Sequence, residues 1–234
     1  QYPDKHGELR LPFFYSYKLT MTSINRVNVT NELPAINQIL SSIGQAPVTT
    51  LDQTNPDVAI AYNALLEVNK EVQAEGWAFN TEYEIPITTN NDKQYEVAST
   101  ILQIDLSSTY KGDIDVIRKR DVSDSKVKLY DRYNHTFAIG TVANDTWDVD
   151  IIWHFDFIDA PIPIQNYIIA KAATIVAQRI IGDPALVQTL QQRETLSRSI
   201  ALEYDCNQAD YTIFGHPQGS KNYTSYKPYT ALQR

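Results

Sequence analysis

The chain is poor in glycine and nearly free of cysteine and methionine. Its 234 residues include eight glycines, one cysteine and one methionine. It contains no Gly-x-Gly-x-x-Gly dinucleotide fingerprint, no phosphate-binding loop and no Gly-x-Ser-x-Gly nucleophile elbow. The single Cys206 excludes an intramolecular disulfide and a zinc site built from several cysteines. It also fits synthesis in a reducing cytoplasm.

Long apolar runs and an excess of positive charge are missing as well. No apolar stretch reaches the ~18 residues that a membrane-spanning helix needs, so we expect no membrane anchor. The formal net charge is -8. Because neutralisation of phosphates supplies most non-specific nucleic-acid affinity, an acidic chain is a poor candidate for tight DNA binding. The acidic charge is compatible with a surface along which DNA moves without binding tightly.

Candidate catalytic groups are scattered along the chain. None of the four histidines is paired at i, i+4 spacing, and we expect no metal site and no cofactor. The pattern that most resembles an enzyme site consists of two carboxylate pairs, Asp113 with Asp115 and Asp148 with Asp150. Each pair lies on one face of a predicted strand. Glycosidases work with two carboxylates, so a glycan hydrolase is the enzymatic alternative. Acidic pairs are more often a solvated polar face, which favours a protein without enzymatic activity.

Two amphipathic helices joined by a turn open the regular part of the chain. Apolar residues at intervals of three and four predict helices at Leu33–Ile43 and Pro56–Glu75. Gly44 can adopt the left-handed conformation that ends a helix, and Pro47 prevents the helix from resuming. Asn55 is placed to cap the free N–H groups of the second helix.

A second helix pair lies near the other end of the chain. The third helix is predicted to start after Pro161 and to end at Gly182. Asp183 and Pro184 form a start signal for a fourth helix that runs to about Asn207. The predicted apolar face of this fourth helix consists of Leu186, Leu190, Leu196, Ile200 and Tyr204.

Between the helix pairs the apolar period changes to two, which is typical of half-buried strands. The strongest alternation runs from Asp148 to Phe157, and Asn90 to Lys93 form a turn. Further predicted strands cover Trp77–Ile87, Gln94–Ala98, Ile101–Leu106, Asp113–Arg118, Lys126–Tyr130 and Thr136–Thr141.

These patterns predict an α+β fold with a four-helix body, made of two helix pairs, an inserted antiparallel β domain and extended terminal arms. The predicted divisions are an N-terminal arm or upstream extension (1–20), the first helix pair (21–77), the β domain (78–160), the second helix pair (161–208) and the C-terminal arm (209–234).

The C-terminal arm combines glycine and proline with aromatic residues that are spaced too irregularly for a helix. This composition is typical of an extended segment that lays aromatic side chains on another surface. The arm aromatics are Tyr211, Phe214, Tyr223, Tyr226 and Tyr229.

Five segments of the sequence resemble one protein family. They are Leu33–Leu51 with its Ile-Gly turn, the helix end Gly76–Asn80, the tripeptide Asp159–Pro161, the third-helix segment Ala170–Arg179 and the tripeptide Gly182–Pro184. Together they resemble the tail tubular protein A family of short-tailed bacteriophages (podoviruses). The β insertion matches this family only in pattern.

The resemblance runs from Met21 to about Asp210 and implies a head-to-tail adaptor, also called a gatekeeper. It implies that copies form a ring, typically a dodecamer, between the portal protein and the tail nozzle (tail tubular protein B). Such a ring continues the DNA channel, lets genomic DNA pass during ejection without specific binding, and supports tail-fibre attachment. The helices form the ring body, the β domain points to the nozzle, and the C-terminal arm reaches the portal.

From the resemblance we expect two sets of contact residues in the virion tail. The β loops that face the nozzle carry Asn90, Asn91, Lys119 and Arg120. The five arm aromatics contact the portal or a neighbouring copy. A tail glycan hydrolase acting on host surface polysaccharide and a free-standing binding module stay open as alternatives.

Overall fold

The computed structural model describes residues 29–52, 54–107 and 115–209. These residues form four helices and five strands, which confirms the α+β class. The elements are α1 (Val29–Ser42), α2 (Pro56–Gln73), β1 (Thr81–Thr88), β2 (Ile101–Leu106), β3 (Val116–Arg120), β4 (Val127–Asp131), β5 (Thr146–Trp153), α3 (Ile162–Ile180) and α4 (Pro184–Ala209).

The first hydrophobic core lies between the helices. α3 packs against α1, α2 and α4, and its inner face is completely buried at Ile164 and Ile168. Ile36 of α1 and Leu65 of α2 are equally inaccessible. Alanines such as Ala172 keep the helices close together, because they leave little side chain between the backbones.

The predicted signals at the helix ends are confirmed. Gly44 and Gly182 have positive φ angles of 78° and 68°, the left-handed conformation that closes a helix. The side chain of Asn55 accepts a hydrogen bond from Asp57 N at 3.0 Å, as expected for an N-cap. Asp183 does the same for the N–H of Ala185, also at 3.0 Å.

The strands form two antiparallel sheets that share a second core. One sheet has the order β1-β5-β2, and the other consists of β3 and β4. The alternation predicted from Asp148 to Phe157 is confirmed at Val149 and Ile151, which are buried on one side together with the preceding Trp147. They pack with Tyr95 and Leu129, which come from outside the first sheet.

Two predicted strands do not form ladders. The segment Gln94–Ala98 makes a single bridge, from Glu96 to Lys128, and Thr136 makes one bridge to Asp131. Side chains accept some of the local backbone hydrogen bonds. The carboxylate of Asp131, for example, accepts from the N–H groups of Tyr133 and Asn134 in the following loop. Polar side chains of this type compete with strand pairing for backbone donors.

The first predicted strand begins four residues later than its pattern suggests. Gly76 has φ +78° and ends α2. Trp77 then turns back into the helical core, where it is 3% exposed and donates from Nε1 to Val72 O at 2.7 Å. Its aromatic signal therefore belongs to the helical core, and β1 starts only at Thr81. The last predicted strand likewise ends at Trp153, and Phe157 is buried in a short 3-10 helix.

The predicted apolar face of α4 is wrong at two positions. Leu196 and Ile200 are 62% and 51% exposed, whereas Leu190 and Ala201 are buried. In the described part of the chain α4 packs mainly on α3, so only one narrow side of it is covered. The small Ala201, rather than the larger aliphatic side chains, lies in that contact.

The predicted terminal arms lie outside the described residues. This applies to residues 1–20 and to all five arm aromatics, Tyr211, Phe214, Tyr223, Tyr226 and Tyr229.

Candidate assembly surfaces

A set of buried amide side chains joins the helices to the first sheet. Gln73 of α2 is fully buried, donates from Nε2 to Phe155 O at 2.8 Å, and accepts from Phe155 N at 2.7 Å. Asn69 donates to the same carbonyl at 3.2 Å. Asn80 donates to Gln73 O and to Trp153 O, both at 2.9 Å. These bonds satisfy buried backbone groups and fix the end of β5 on α2.

This junction was not predicted from the sequence, although the pattern of α2 contains one signal for it. Asn69 and Gln73 are spaced i, i+4 beside Val68 and Val72, so a helical projection places two amides at the edge of the apolar stripe. Amides on a buried face need partners. Within the helix Gln73 Nε2 donates to Asn69 Oδ1 at 2.8 Å, and the other amide groups need partners outside it. The partner, the backbone of Phe155, lies 82 residues away and is not visible in a local pattern.

The loops at the end of the first sheet carry Asn90 and Asn91. The side-chain oxygen of Asn90 accepts from Asp92 N and Gln94 N at 2.9 and 3.0 Å, which holds the predicted turn. β1 leads from the junction at Asn80 to this turn, and eight strand residues span about 26 Å. The exposed Asn91 is therefore remote from the helices.

The loop before β5 packs against the same turn. Thr89 N donates to Asp145 O at 2.9 Å, and Gly140 N donates to Lys93 O at 3.0 Å. A Cβ on Gly140 would lie 2.6 Å from the methyl group of Thr89, so this contact requires glycine. Val142 is 58% exposed at this tip.

The predicted loop residues Lys119 and Arg120 lie on β3, in the second sheet. Both are exposed, and Lys119 Nζ lies 3.9 Å from the ring centroid of Tyr130 on β4. Arg118 reaches across to β2 and donates to Ile101 O at 2.7 Å. The structure thus places the four predicted β residues on two different elements and does not bring them into one cluster.

A buried lysine holds the hairpin between β3 and β4. Lys128 Nζ lies 2.8 Å from Asp121 and 2.6 Å from Asp124, and its side chain is 3% exposed. The Lys128 ammonium and the hydroxyl of Ser123 hold the pKa of Asp121 far below its ordinary value. The hydrogen bonds that Lys128 donates to the carboxylates of Asp121 and Asp124 raise the pKa of Lys128. This cluster is a structural clamp, in which one ammonium group holds two carboxylates of the hairpin.

The carboxylates suspected of glycan hydrolysis are spread over the two sheets. Asp148 and Asp150 lie on the outer face of β5, where Asp150 is paired across the strands with Asp105. Asp150 also accepts from Glu84 N at 3.1 Å. Asp115 precedes β3 and pairs with Arg132 at 3.2 Å. Asp113 lies outside the described residues.

Large aliphatic side chains are exposed along α4 and at the end of α3. Leu196 and Ile200 are one helical turn apart and lie on one face of α4, which differs from the face of the buried Leu190 and Ala201. Leu202 is 45% exposed, and Ile180 and Ile181 are 36% and 43% exposed where α3 meets α4. Single exposed aliphatic residues are common, whereas neighbouring ones on a single face, such as Leu196 and Ile200, are typical of a surface that contacts another protein.

A small apolar notch lies beside the junction. Its volume is about 350 Å³, and it is lined by Phe79, Phe155, Asp159 and Pro161. The ring centroids of Phe79 and Phe155 are 6.2 Å apart, and the two ring planes are inclined at 37°. Phe155 is 37% exposed. The neighbouring Ile162 is 72% exposed, which extends the apolar rim.

A carboxylate is buried near the start of α1. Glu32 is 9% exposed, and one of its oxygens, Oε2, has no hydrogen-bond partner among the described residues. Burial raises the pKa of Glu32, the charge of Asp156 adds to that rise, and a hydrogen bond with Tyr62 opposes it. Neutral Glu32 is therefore favoured more than an exposed glutamic acid would be.

No three His, Cys, Asp or Glu side chains within residues 29–52, 54–107 and 115–209 are grouped so that they could hold a metal ion. None of the helices in that part of the chain is long and apolar enough to cross a membrane.

Comparison with known proteins assigns the family. The family model described as tail tubular protein (Tube) matches residues 33–211, which include all of α2, α3, α4 and the five strands. No curated protein matches the chain. The resemblance noted in the sequence is thereby confirmed: the chain belongs to the tail tubular protein family and is a structural component of a bacteriophage tail that assembles with other tail components.

Proposed function

We propose that the chain is the subunit of a head-to-tail adaptor ring, a dodecamer, between the portal and the nozzle of a podovirus. In this proposal residues 21–77 and 161–208 form the ring body and residues 78–160 form a β domain that points to the nozzle. Genomic DNA passes through the lumen during ejection without specific binding. Tail fibres attach to the outer surface.

The observation that carries the proposal is the exposed apolar face of α4 in a chain of this family. Leu196 and Ile200 are too exposed to stabilise the isolated subunit, whereas covering them with a neighbouring copy removes apolar area from water. The face also carries polar groups such as Arg193, as expected of an interface whose rim stays wet. Lateral contact between the helical bodies of neighbouring copies would therefore cover the apolar face of α4 that the subunit alone leaves exposed.

The elongated first sheet supports a role for the β loops in nozzle contact. The tip with Asn90, Asn91 and Val142 is held rigidly by the bonds of Thr89 and Gly140. It lies about 26 Å from the junction, so it can contact a second ring without disturbing the helices. Lys119 and Arg120 offer a separate basic contact on β3. In this proposal the arm aromatics from Tyr211 to Tyr229 face the portal or a neighbouring copy.

The proposal is tested by replacing the aliphatic face of α4. We expect the purified wild-type protein to form rings in electron-microscope class averages and in native mass spectra. The double variant Leu196→Asp/Ile200→Asp should give folded monomers, because charges placed in an apolar interface lose their water. Val122→Asp is the matched control, since Val122 is 94% exposed in the turn after β3 and should leave rings intact. Intact rings in the double variant, or a monomeric wild type, would refute the assignment of this face.

We also propose that the subunit has no enzymatic activity of its own. Asp148 and Asp150 lie on an open sheet face, and neither lines the notch described above. Incubation with host capsular and cell-wall polysaccharides should release no reducing ends. Turnover that disappears in Asp148→Asn or Asp150→Asn would instead establish the glycan hydrolase.

A further inference from the structure

We propose that the notch formed by Phe79, Phe155, Asp159 and Pro161 binds the aromatic segment Tyr211–Phe214 of the same chain. The proposal assigns the first part of the C-terminal arm to an intramolecular contact. It therefore restricts the contact with the portal or a neighbouring copy, proposed above for all five arm aromatics, to Tyr223, Tyr226 and Tyr229. It does not depend on ring formation.

The notch has the size and chemistry of a site for one aromatic ring. Its volume of about 350 Å³ is at the small end of the range for pockets that bind organic groups. Phe79 and Phe155 offer ring faces 6.2 Å apart, against which a third ring can pack at an offset or by its edge. The carboxylate of Asp159 on the rim is an acceptor for a tyrosine hydroxyl, which suits Tyr211 in particular.

The end of α4 is fixed beside this notch. Asp205, in the last turns of α4, accepts a hydrogen bond from Ala78 N at 2.6 Å. Ala78 directly precedes Phe79, so the helix is attached to the backbone that forms one wall of the notch. Ala209, the last residue of α4, lies only about 6 Å further along the helix axis.

The chain that follows is long enough to enter the notch and short enough to stay near it. Tyr211 is two residues and Phe214 five residues beyond Ala209. Extended chain covers at most about 3.5 Å per residue, so their reach is roughly 7 and 17 Å. Because the segment is tethered beside its site, it binds at a high effective concentration that a free partner lacks.

Residues 1–28 are the other tethered candidate for the notch. Residues 1–28 lead into α1, and Glu32 lies close enough to Asp156 for their charges to interact. That end of the chain therefore approaches Asp156, whereas the bond between Asp205 and Ala78 places the end of α4 at Phe79 itself. The C-terminal segment is the occupant that the contacts favour.

The test uses the full chain and an internal control. Hydrogen–deuterium exchange of the peptides that contain Phe79 and residues 155–162 is compared in wild type, Tyr211→Ala/Phe214→Ala and Tyr226→Ala/Tyr229→Ala. We expect faster exchange only in the first double variant, with the same circular dichroism in all three. Equal exchange in wild type and Tyr211→Ala/Phe214→Ala overturns the proposal.

A cross-linking experiment identifies the occupant directly. A photoreactive benzoylphenylalanine replaces Phe214, and chains labelled with ¹⁴N and ¹⁵N are mixed before irradiation. Cross-links to Phe79, Phe155 or Pro161 within one isotopic chain support the proposal. Cross-links between isotopically different chains would show that the notch binds the segment of a neighbouring copy. Cross-links to residues outside the notch would show that Phe214 lies elsewhere. Both outcomes overturn the proposal. Failure of the ring test above changes neither expectation.

Discussion

The helical part and the β part of this protein use different means to bend the backbone. Each described glycine with positive φ closes a helix: Gly44, Gly76 and Gly182. Among the described residues, positive φ in the β part occurs at non-glycine positions, namely Glu84, Lys93, Ser125, His135 and Asn144. A left-handed conformation costs a non-glycine residue about 1–2 kcal/mol, so the β part needs compensating contacts that the helical part does without.

Side-chain hydrogen bonds provide that compensation. Asn90, Asp121, Asp131 and Asp145 each accept from backbone N–H groups of their own loops. The helical part instead relies on continuous apolar contact along α3, with few polar side chains in its core. We therefore expect the helices to respond most to lost volume, and the β part to lost charge or lost hydrogen bonds.

The largest expected effect is in the helical core. Ile168→Ala removes a completely buried side chain between three helices and should lower the free energy of unfolding by about 2–5 kcal/mol. Leu196→Ala, on the exposed face of α4, should change it by no more than about 0.5 kcal/mol in the monomeric state. The measurement is urea denaturation followed by the fluorescence of Trp77, in a Trp147→Phe/Trp153→Phe background. Similar losses for both substitutions would remove the distinction between the buried face of α3 and the exposed face of α4.

The next largest effect concerns the junction between the two regions. Gln73→Met keeps the side-chain volume but leaves the N–H of Phe155 without its partner and the C=O of Phe155 with Asn69 alone. An unsatisfied buried polar group costs about 1–3 kcal/mol. The variant should also separate the unfolding of the sheet from that of the helices, because these bonds connect them.

Separate reporters make this loss of coupling measurable. In the Gln73→Met variant, denaturation followed by Trp77 should no longer coincide with denaturation followed by Trp147. Gln38→Met on the exposed side of α1 is the matched control and should leave the two curves superimposed. Coincident curves in both variants would mean that contacts other than these amides couple the regions.

The smallest effect is a pH dependence of opposite sign in the two regions. Burial raises the pKa of Glu32 above its unfolded value of about 4.3, so its contribution to stability is full below that value and is lost as the pH rises through the raised pKa. Glu32→Gln should therefore stabilise the helical part at pH 7 and give no gain in acid.

Asp121 behaves in the opposite way in the β part. Its pKa is lowered, chiefly by Lys128, so its contribution is present above the unfolded value of about 3.9 and is lost as the pH falls towards the lowered pKa. Asp121→Asn should destabilise the β part at pH 7, and the difference from wild type should shrink in acid. Denaturation midpoints at several pH values, read from Trp77 and from Trp147, measure both variants. If the midpoints read from Trp77 and from Trp147 changed with pH in the same direction, the opposite contributions of Glu32 and Asp121 would be contradicted.

The sequence predicted the elements better where their signals are local. The four helices, β2 and the core of β5 were predictable because a repeating apolar pattern and a cap lie within one segment. The segments Gln94–Ala98 and Thr136–Thr141 have the same alternation but form only isolated bridges, since a strand needs a partner in register. Trp77 was assigned to a strand because the adjacent sheet residues share its period, although Gly76 turns it into the helical core.

By itself the sequence determined where the chain must turn and which segments are amphipathic, because glycine, proline and capping side chains act on their neighbours in the chain. Only the tertiary structure decided that β5 lies between β1 and β2, that Gln73 bonds to the backbone of Phe155, and that Leu196 and Ile200 are exposed. These outcomes depend on contacts between residues distant in sequence. A hydrophobic pattern shows that a face needs a partner, but the packing of the whole chain decides whether that partner comes from the same subunit.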